Sequence, residues 1–580
     1  MTDYRQTYEA WLTDDAISPQ ERAELRNLTD ETEIEDRFYK ELEFGTAGVR
    51  GVLGAGTNRM NDHTVGKATL GLARYLTEQF RSAKVVIAYD SRIKSLEFAQ
   101  LSAQILAECG HQIFLFDSLR PVPLLSYAVR YLKADSGIVI TASHNPKQYN
   151  GFKVYSAYGG QVTDEEAADI LTKINQVASY SEIKAMNYEA AIAEGKIKLI
   201  GAEVDRSYYE SIKTLTIKDD LVRDHAGELK VIYTPLHGTG NIPVRTVLSE
   251  LGYGQVQVVP EQELPDGTFP TAPYPNPENP DVFKLALAMN QTIGADLIFG
   301  TDPDCDRLGL IVFEKDGTPQ VLSGNQTGML ITHYMLKALA QADQLPKNGV
   351  VIKTIVTTES VRNIARKYGV EVMDVLTGFK YIGEIIRNKE NTNEVFVIGG
   401  EESYGMLKGT YARDKDGASA ALVLAEFAAE LKKEGKTLVD RLMELYRELG
   451  MYIETLDVAV YPGADGFATM QNIMSSLRAS PPASIGDEAV TAVIDYQALT
   501  RTLDDNRVEK VDCVAGNVLV FECGSPEKRI TIRPSGTEPK LKFYTQWKFE
   551  SSSPETDYAE AEQYLHQLFT SLSEEALKRV

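Results

Sequence analysis

Three aspartates stand at alternate positions, Asp302, Asp304 and Asp306, in the segment GTDPDCDRLG (300–309). They follow an apolar run, and carboxylates so close repel one another unless a cation neutralises them. Hard oxygen donors in this number suit Mg2+, which takes octahedral oxygen coordination and often shares it with a phosphate. An EF-hand is excluded, since that loop needs glycine at its sixth position and glutamate at its twelfth, where Arg307 and Phe313 stand here. A second segment, TASHNPKQYN (141–150), places Ser143 just after the apolar run SGIVI (136–140). The glycines of a hydrolase G-x-S-x-G elbow are missing around it. A serine and a metal loop on one chain point to phosphoryl transfer, with a phosphoserine at Ser143 adding a ligand to the three aspartates.

Other segments offer groups such chemistry needs, each weak when taken alone. His144 is either a base for Ser143 or a hydrogen-bonding loop residue. Lys153, in NGFK, can neutralise phosphate charge or move a proton. RPSGTEPK (533–540) gathers Arg533, Ser535, Gly536 and Thr537: a guanidinium, two hydroxyls and backbone N–H groups, a cradle for an anion. GGEESYG (399–405) has glycines that let backbone approach a ligand, with Glu401 and Ser403 able to bind sugar hydroxyls. TGFKYIGE (377–384) offers Thr377, Gly378 and Lys380. ELEFGTAGVRG (41–51) offers Arg50, and YARDKDG (411–417) offers Arg413. Arg307 adds positive charge beside the aspartates. Cys305 reads as a small spacer.

The elements that must position these residues follow a clear rhythm. KVVIAYD (84–90), HQIFLFD and SGIVIT (136–141) read as strands, separated by helices over 98–110 and from Pro123. That βαβαβ order predicts a largely parallel sheet with helices on both faces, and ligands at the carboxyl ends of its strands. The rhythm returns with strands at 229–238, 255–260 and 295–302, a proline-rich loop at 270–280, and a helix after it. It returns again with strands at 350–358, 370–378 and 394–403, a helix from Phe379 and one over 418–435. After about residue 450, strand-like segments predominate and a last helix runs from about Asp557. We therefore expect a helical extension over 1–40 and α/β domains over 41–205, 206–322 and 323–450. An α+β domain follows over 451–580, with the whole arranged around a central cleft.

At 580 residues, with 43% hydrophobic and 25% charged residues, the chain has material for several cores. Sixty basic against 83 acidic residues leave a net charge of −23, a field that repels nucleic acid and anionic membranes. Apolar runs such as 423–429 fall short of the roughly 18 residues a membrane helix needs. The N-terminus has no basic region followed by an apolar stretch, and the four cysteines form no C-x-x-C pair. A cytoplasmic protein is expected. Oligomeric state is not readable.

Together, TASHNPKQYNGFK, GTDPDCDR, TGFKYIGE, GGEESYG and RPSGTEPK, in this order and with GTAGVRG near the start, resemble the α-D-phosphohexomutases over roughly residues 40–545. The sugar loop lacks the histidine that follows the serine in the phosphomannomutase and phosphoglucosamine branches, and so is similar to the branch holding phosphoglucomutases and phosphopentomutases. The resemblance implies three α/β domains and a C-terminal α+β domain. It implies exchange between glucose 1-phosphate and glucose 6-phosphate, with Ser143 as phosphate carrier, Mg2+ on the aspartates and glucose 1,6-bisphosphate as intermediate and activator. It implies Lys380 or Lys153 as general acid and base, and Arg50 and Arg307 beside the transferring group. The Arg533 loop would bind the other phosphate, and Glu401 and Ser403 the sugar. Pentose or mannose phosphates are alternative substrates. A phosphatase of the haloacid dehalogenase type, with Asp302 as nucleophile, and a non-catalytic sugar-phosphate binder are alternatives of other classes.

Overall fold

The computed structural model describes residues 4–45, 48–461, 465–536 and 539–579. The chain clusters into two compact units. One comprises the described parts of Met1–Val312, Phe379–Ile398 and Tyr404–Glu434; the other comprises those of Phe313–Gly378, Gly399–Ser403 and Gly435–Val580.

In the first unit, valine- and isoleucine-rich runs form a six-stranded sheet from β1 (Gly48–Val52), β2 (Lys84–Tyr89), β3 (Gln112–Phe116), β4 (Ser136–Ile140), β5 (Tyr149–Ser156) and β6 (Ile197–Ile200), ordered β1-β5-β4-β2-β3-β6. The pairs β2–β4, β2–β3 and β3–β6 are parallel, while β4–β5 and β1–β5 are antiparallel. Every residue of β4 is buried, as expected of a strand covered on both faces. The helices Ser95–Glu108 and Val122–Tyr131 make the crossovers. The loop carrying Ser143 leaves the carboxyl end of β4, where parallel sheets place their ligands.

A second sheet in the same unit joins β7 (Lys230–Thr234), β8 (Gln255–Val258), β9 (Leu297–Thr301) and β10 (Leu308–Phe313) in the order β10-β9-β7-β8. The apolar pattern predicts that the first of these strands runs to residue 238. It stops at Thr234, because Pro235 lacks an N–H and Leu236 and His237 take left-handed φ values of 46° and 59°. The aspartate loop is the turn between β9 and β10.

The N-terminal segment holds three helices among its described residues, Tyr4–Thr13, Pro19–Arg26 and Glu31–Phe38. They are more than a wrapping, for Trp11, Ile17, Leu25, Ile34 and Phe38 close a small core of their own over Ala55.

In the second unit, the strands Gly349–Thr354 and Glu371–Val375 pair in parallel. An antiparallel sheet of seven strands follows. Met451–Val460 lies at one edge, beside Lys540–Phe549 and then Lys528–Pro534, Leu519–Glu522, Ala492–Asp495, Thr500–Leu503 and Val508–Lys510. The helix Pro554–Leu577 starts three residues earlier than the sequence suggested, with proline in its first turn. No helix among the described residues is long and apolar enough to cross a membrane.

Candidate active site

The turn between β9 and β10 curls tightly enough to turn all three carboxylates inward. Cys305 at its centre takes φ 54°, and the Cys305 N–H donates to the Asp302 carbonyl at 2.9 Å. Neighbouring segments grip the turn. Thr239 donates to the Pro303 carbonyl from both N–H and hydroxyl, Val122 N–H donates to the Asp304 carbonyl, and Gly417 N–H to the Cys305 carbonyl. One carboxylate oxygen from each of Asp302, Asp304 and Asp306 lies within 4.8 Å of the others, and all three residues are buried.

The cluster sorts its oxygens. Asp302 Oδ1 accepts the N–H groups of Asp306 and Arg307, each at 3.1 Å. Asp304 Oδ2 accepts Lys153 Nζ at 3.0 Å and Thr141 Oγ1 at 3.2 Å. Asp306 Oδ2 lies 3.0 Å from Lys415 Nζ. Asp304 Oδ1 and Asp306 Oδ1 are buried and accept no hydrogen bond from any described residue. Orphaned carboxylate oxygens are costly unless a cation takes them. The donor set therefore fits a hard divalent cation.

Ser143 points into this cluster. Its hydroxyl donates to Asp302 Oδ2 at 2.7 Å and lies 3.1 Å from His144 Nδ1. A hydroxyl has one proton, so with Asp302 as its acceptor His144 Nδ1 must carry a hydrogen and donate to Ser143. Burial, with the Arg307 and Arg50 cations, holds the His144 imidazole well below its usual pKa and hence neutral. A neutral donor is not a base, and His144 supports the loop instead. Its ring meets Tyr274 edge-on at 6.2 Å. Burial and the two neighbouring carboxylates push Asp302 well above the usual carboxylate range. Asp304, though equally buried, is held low chiefly by the Lys153 ammonium.

Models of the phosphoglucomutase/phosphomannomutase alpha/beta/alpha domains I, II and III match residues 41–181, 206–316 and 323–448. A phosphoglucomutase of Staphylococcus epidermidis is 37% identical over 521 residues, covering 89% of this chain and 92% of that protein. The chain belongs to the phosphoglucomutase/phosphomannomutase family. Among solved structures, a phosphomannomutase assigned in Thermus thermophilus aligns with TM-score 0.65 at 22% identity, covering 92% of this chain and 99% of that one. The open form of the Paramecium phosphoglucomutase parafusin aligns with TM-score 0.67 at 15% identity, covering 91% and 95%. Both share the fold of this phosphohexomutase.

The other residues singled out in the sequence fall into separate groups. Arg50, exposed on β1, donates to the Asn145 side chain at 3.0 Å and so sits over the serine loop. Arg307 reaches Glu278 and lies 3.8–4.0 Å from Asp306 and Asp302. Lys380 pairs with Asp164 at 2.5 Å, and Arg413 is buried against Glu390. In the second unit, Glu401 accepts the Gly378 N–H at 3.1 Å, and the Thr377 hydroxyl is buried without a hydrogen-bond partner among the described residues. Ser403 is half-buried. Arg533 is the last residue but one of the strand Lys528–Pro534, Ser535 N–H donates to the Lys540 carbonyl at 2.9 Å, and Gly536 is exposed. Thr537 lies outside the described residues.

Two residues that sequence reasoning passed over belong to the first group. Lys415 lies in the same YARDKDG segment that drew attention to Arg413, two positions on. Arg92 follows β2 and is fully buried. It donates to the backbone carbonyls of Ser143, Asn145, Pro146 and Tyr149 and stacks over Phe269 at 5.0 Å. Its signal was its place at the carboxyl end of a parallel strand.

Proposed function

We propose that this phosphohexomutase is a phosphoglucomutase. It would interconvert glucose 1-phosphate and glucose 6-phosphate through a phosphoserine at Ser143 and glucose 1,6-bisphosphate as intermediate and activator. The observation that carries the proposal is the 2.7 Å contact of the Ser143 hydroxyl with Asp302, inside a buried carboxylate cluster holding two unpartnered oxygens. The 37% identity with a named phosphoglucomutase along most of both chains supports the sugar.

Asp302, Asp304 and Asp306 would hold Mg2+, with a Ser143 phosphate oxygen joining them. When bound, the ion would withdraw charge from the transferring phosphoryl group. A sugar hydroxyl attacks phosphorus and gives up its proton to a general base, the bond to Ser143 Oγ breaks, and the serine oxygen takes up a proton from a general acid, Lys153 or Lys380 filling these roles. Lys153 supports this step in place, its ammonium lying on Asp304 beside Ser143. Lys415, on Asp306, would offset the charge of that carboxylate. Arg50 and Arg307 add positive charge at the phosphate. The bisphosphate then turns over and returns its other phosphate to Ser143. Arg533, Ser535, Gly536 and Thr537 would bind the phosphate not being transferred. Thr377, Gly378, Glu401, Ser403 and Arg413 would bind the sugar, while Lys380 stays an alternative to Lys153 as general acid and base. The domain division expected from the sequence, 41–205, 206–322, 323–450 and 451–580, assigns one of these tasks to each part. We place the enzyme in the cytoplasm, where its four free cysteines are stable.

A haloacid dehalogenase-type role for Asp302 is disfavoured, because both its oxygens already accept hydrogen bonds. The deciding experiment compares rates on glucose 1-phosphate, mannose 1-phosphate and deoxyribose 1-phosphate, with and without glucose 1,6-bisphosphate. Glucose 1-phosphate should be fastest and should need the bisphosphate for full rate. A preference for either other sugar would replace the substrate named here.

A further inference from the structure

The proline-rich segment 270–280 carries Glu278, an ion-pair partner of Arg307. Glu278 Oε1 accepts Arg307 Nη1 at 2.5 Å. On its other side the Arg307 guanidinium faces the metal-binding carboxylates. Its Nε lies 3.8 Å from Asp306 Oδ1 and 4.0 Å from Asp302 Oδ2. Asp306 Oδ1 is one of the two buried oxygens of the cluster that accept no hydrogen bond from any described residue. A shift of about 1 Å would let the guanidinium take that oxygen, since a charge-assisted hydrogen bond spans about 2.7–2.9 Å. An arginine settled there would compete with a cation for the same lone pairs.

The segment is built to hold Glu278 still. Buried Asn276 accepts the Glu278 N–H on its side-chain oxygen at 3.1 Å, and its carbonyl accepts the Asn279 N–H at 2.9 Å. Pro277 presses on β10 at Gly309, where a Cβ would come within 2.7 Å of the proline ring. Gly309 is two residues beyond Arg307, so the two partners are fixed on one small piece of structure.

We infer that Glu278 is a positioning residue that draws Arg307 back from Asp302 and Asp306 and so keeps the carboxylate cluster open to its divalent cation. The inference rests on the metal-site reading above. Its test uses the full chain with Mn2+ alone as probe, and reads bound Mn2+ directly by electron paramagnetic resonance and calorimetry rather than by turnover. Wild-type protein should bind Mn2+ at the cluster. Glu278→Gln should weaken that binding on the order of tenfold, a coupling typical of residues in one ionic network. In an Arg307→Met background, Glu278→Gln should change Mn2+ affinity little, because the competing guanidinium is gone. Melting temperatures of all four proteins check that the loop stays folded. Unchanged Mn2+ affinity in Glu278→Gln overturns the inference. So does an equal loss in the Arg307→Met background, which would mark Glu278 as merely a nearby negative charge. If wild-type protein binds no Mn2+, or binds it unchanged after Asp304→Asn, the metal site itself is wrong.

Discussion

Ser143 and Asp302 stand 159 residues apart in sequence, and the serine hydroxyl donates to the Asp302 carboxylate at 2.7 Å. The contact joins the end of β4 in the first sheet to the turn after β9 in the second. It also orders the loop chemistry. With Asp302 as acceptor, Ser143 holds His144 as a donor, and Thr141 braces both loops by accepting the Ser143 N–H at 2.8 Å while donating to Asp304.

Removing the hydroxyl should therefore end turnover without ending the fold. Ser143→Ala keeps the backbone and loses only the carrier oxygen. Turnover is expected to fall on the order of 10^4-fold or more, as when a nucleophile is deleted. Protein incubated with ³²P-labelled glucose 1,6-bisphosphate should retain no label, whereas wild type should yield acid-stable phosphoserine. Label retained by the variant would place the phosphate on another residue.

Metal removal should act on both rate and stability. Among the described residues, three buried carboxylates share three cationic neighbours, yet two of their oxygens accept no hydrogen bond. Chelation should abolish activity, and Mg2+ should restore it. Mg2+ at about 100 times its dissociation constant should stabilise the folded protein by about 2.7 kcal/mol, read as a rise in melting temperature. Full activity after exhaustive chelation would assign the aspartates another task.

Arg92 tests the positioning of Ser143. Its guanidinium binds four carbonyls of the serine loop, and Ser143 itself holds a left-handed φ of 51°. A lysine keeps the charge but cannot fork to several acceptors. Arg92→Lys should lower kcat by about 10- to 100-fold, the scale on which small misplacements act, with a smaller change in KM. A variant in which KM alone rises would show that the loop's geometry survived.

The fold was legible wherever side-chain pattern and backbone agreed. Lys528–Pro534 and Lys540–Phe549 lie among the strand-like segments expected after about residue 450, where β-forming residues alternate. The strand predicted over 229–238 overran, because apolar Leu236 continues the pattern while its backbone does not. Ser143 and the three aspartates stood out as candidates because their types are unusual after buried strands. Arg92, Glu278 and Lys415 did not, because their partners lie 29 to more than 100 residues away and only folding pairs them. A charged residue in sequence looks like surface until its partner is known.

The last prediction concerns pH and lies in the second unit. Glu359 is surrounded by cations, with Lys353 Nζ and Arg529 Nη2 each at 2.8 Å and Arg362 Nε at 2.9 Å. Despite its burial, they hold it well below the usual carboxylate range. Nearby Glu454, on the strand Met451–Val460, is pushed the other way. Burial raises it from 4.5 to about 7, and its Oε1 has no hydrogen-bond partner among the described residues. Between those two values the folded protein keeps a proton on Glu454 that the unfolded chain has released. Stability from this residue is thus fully present below pH 4.5 and is lost as pH rises through about 7. Glu454→Gln imitates the protonated form at every pH. It should leave stability near wild type at pH 4 and raise it by about 1–2 kcal/mol at pH 8, a figure discounted from the full linkage value. Calorimetric melting of both proteins across this range checks it, and parallel curves for the two would show that Glu454 ionises freely in the folded state.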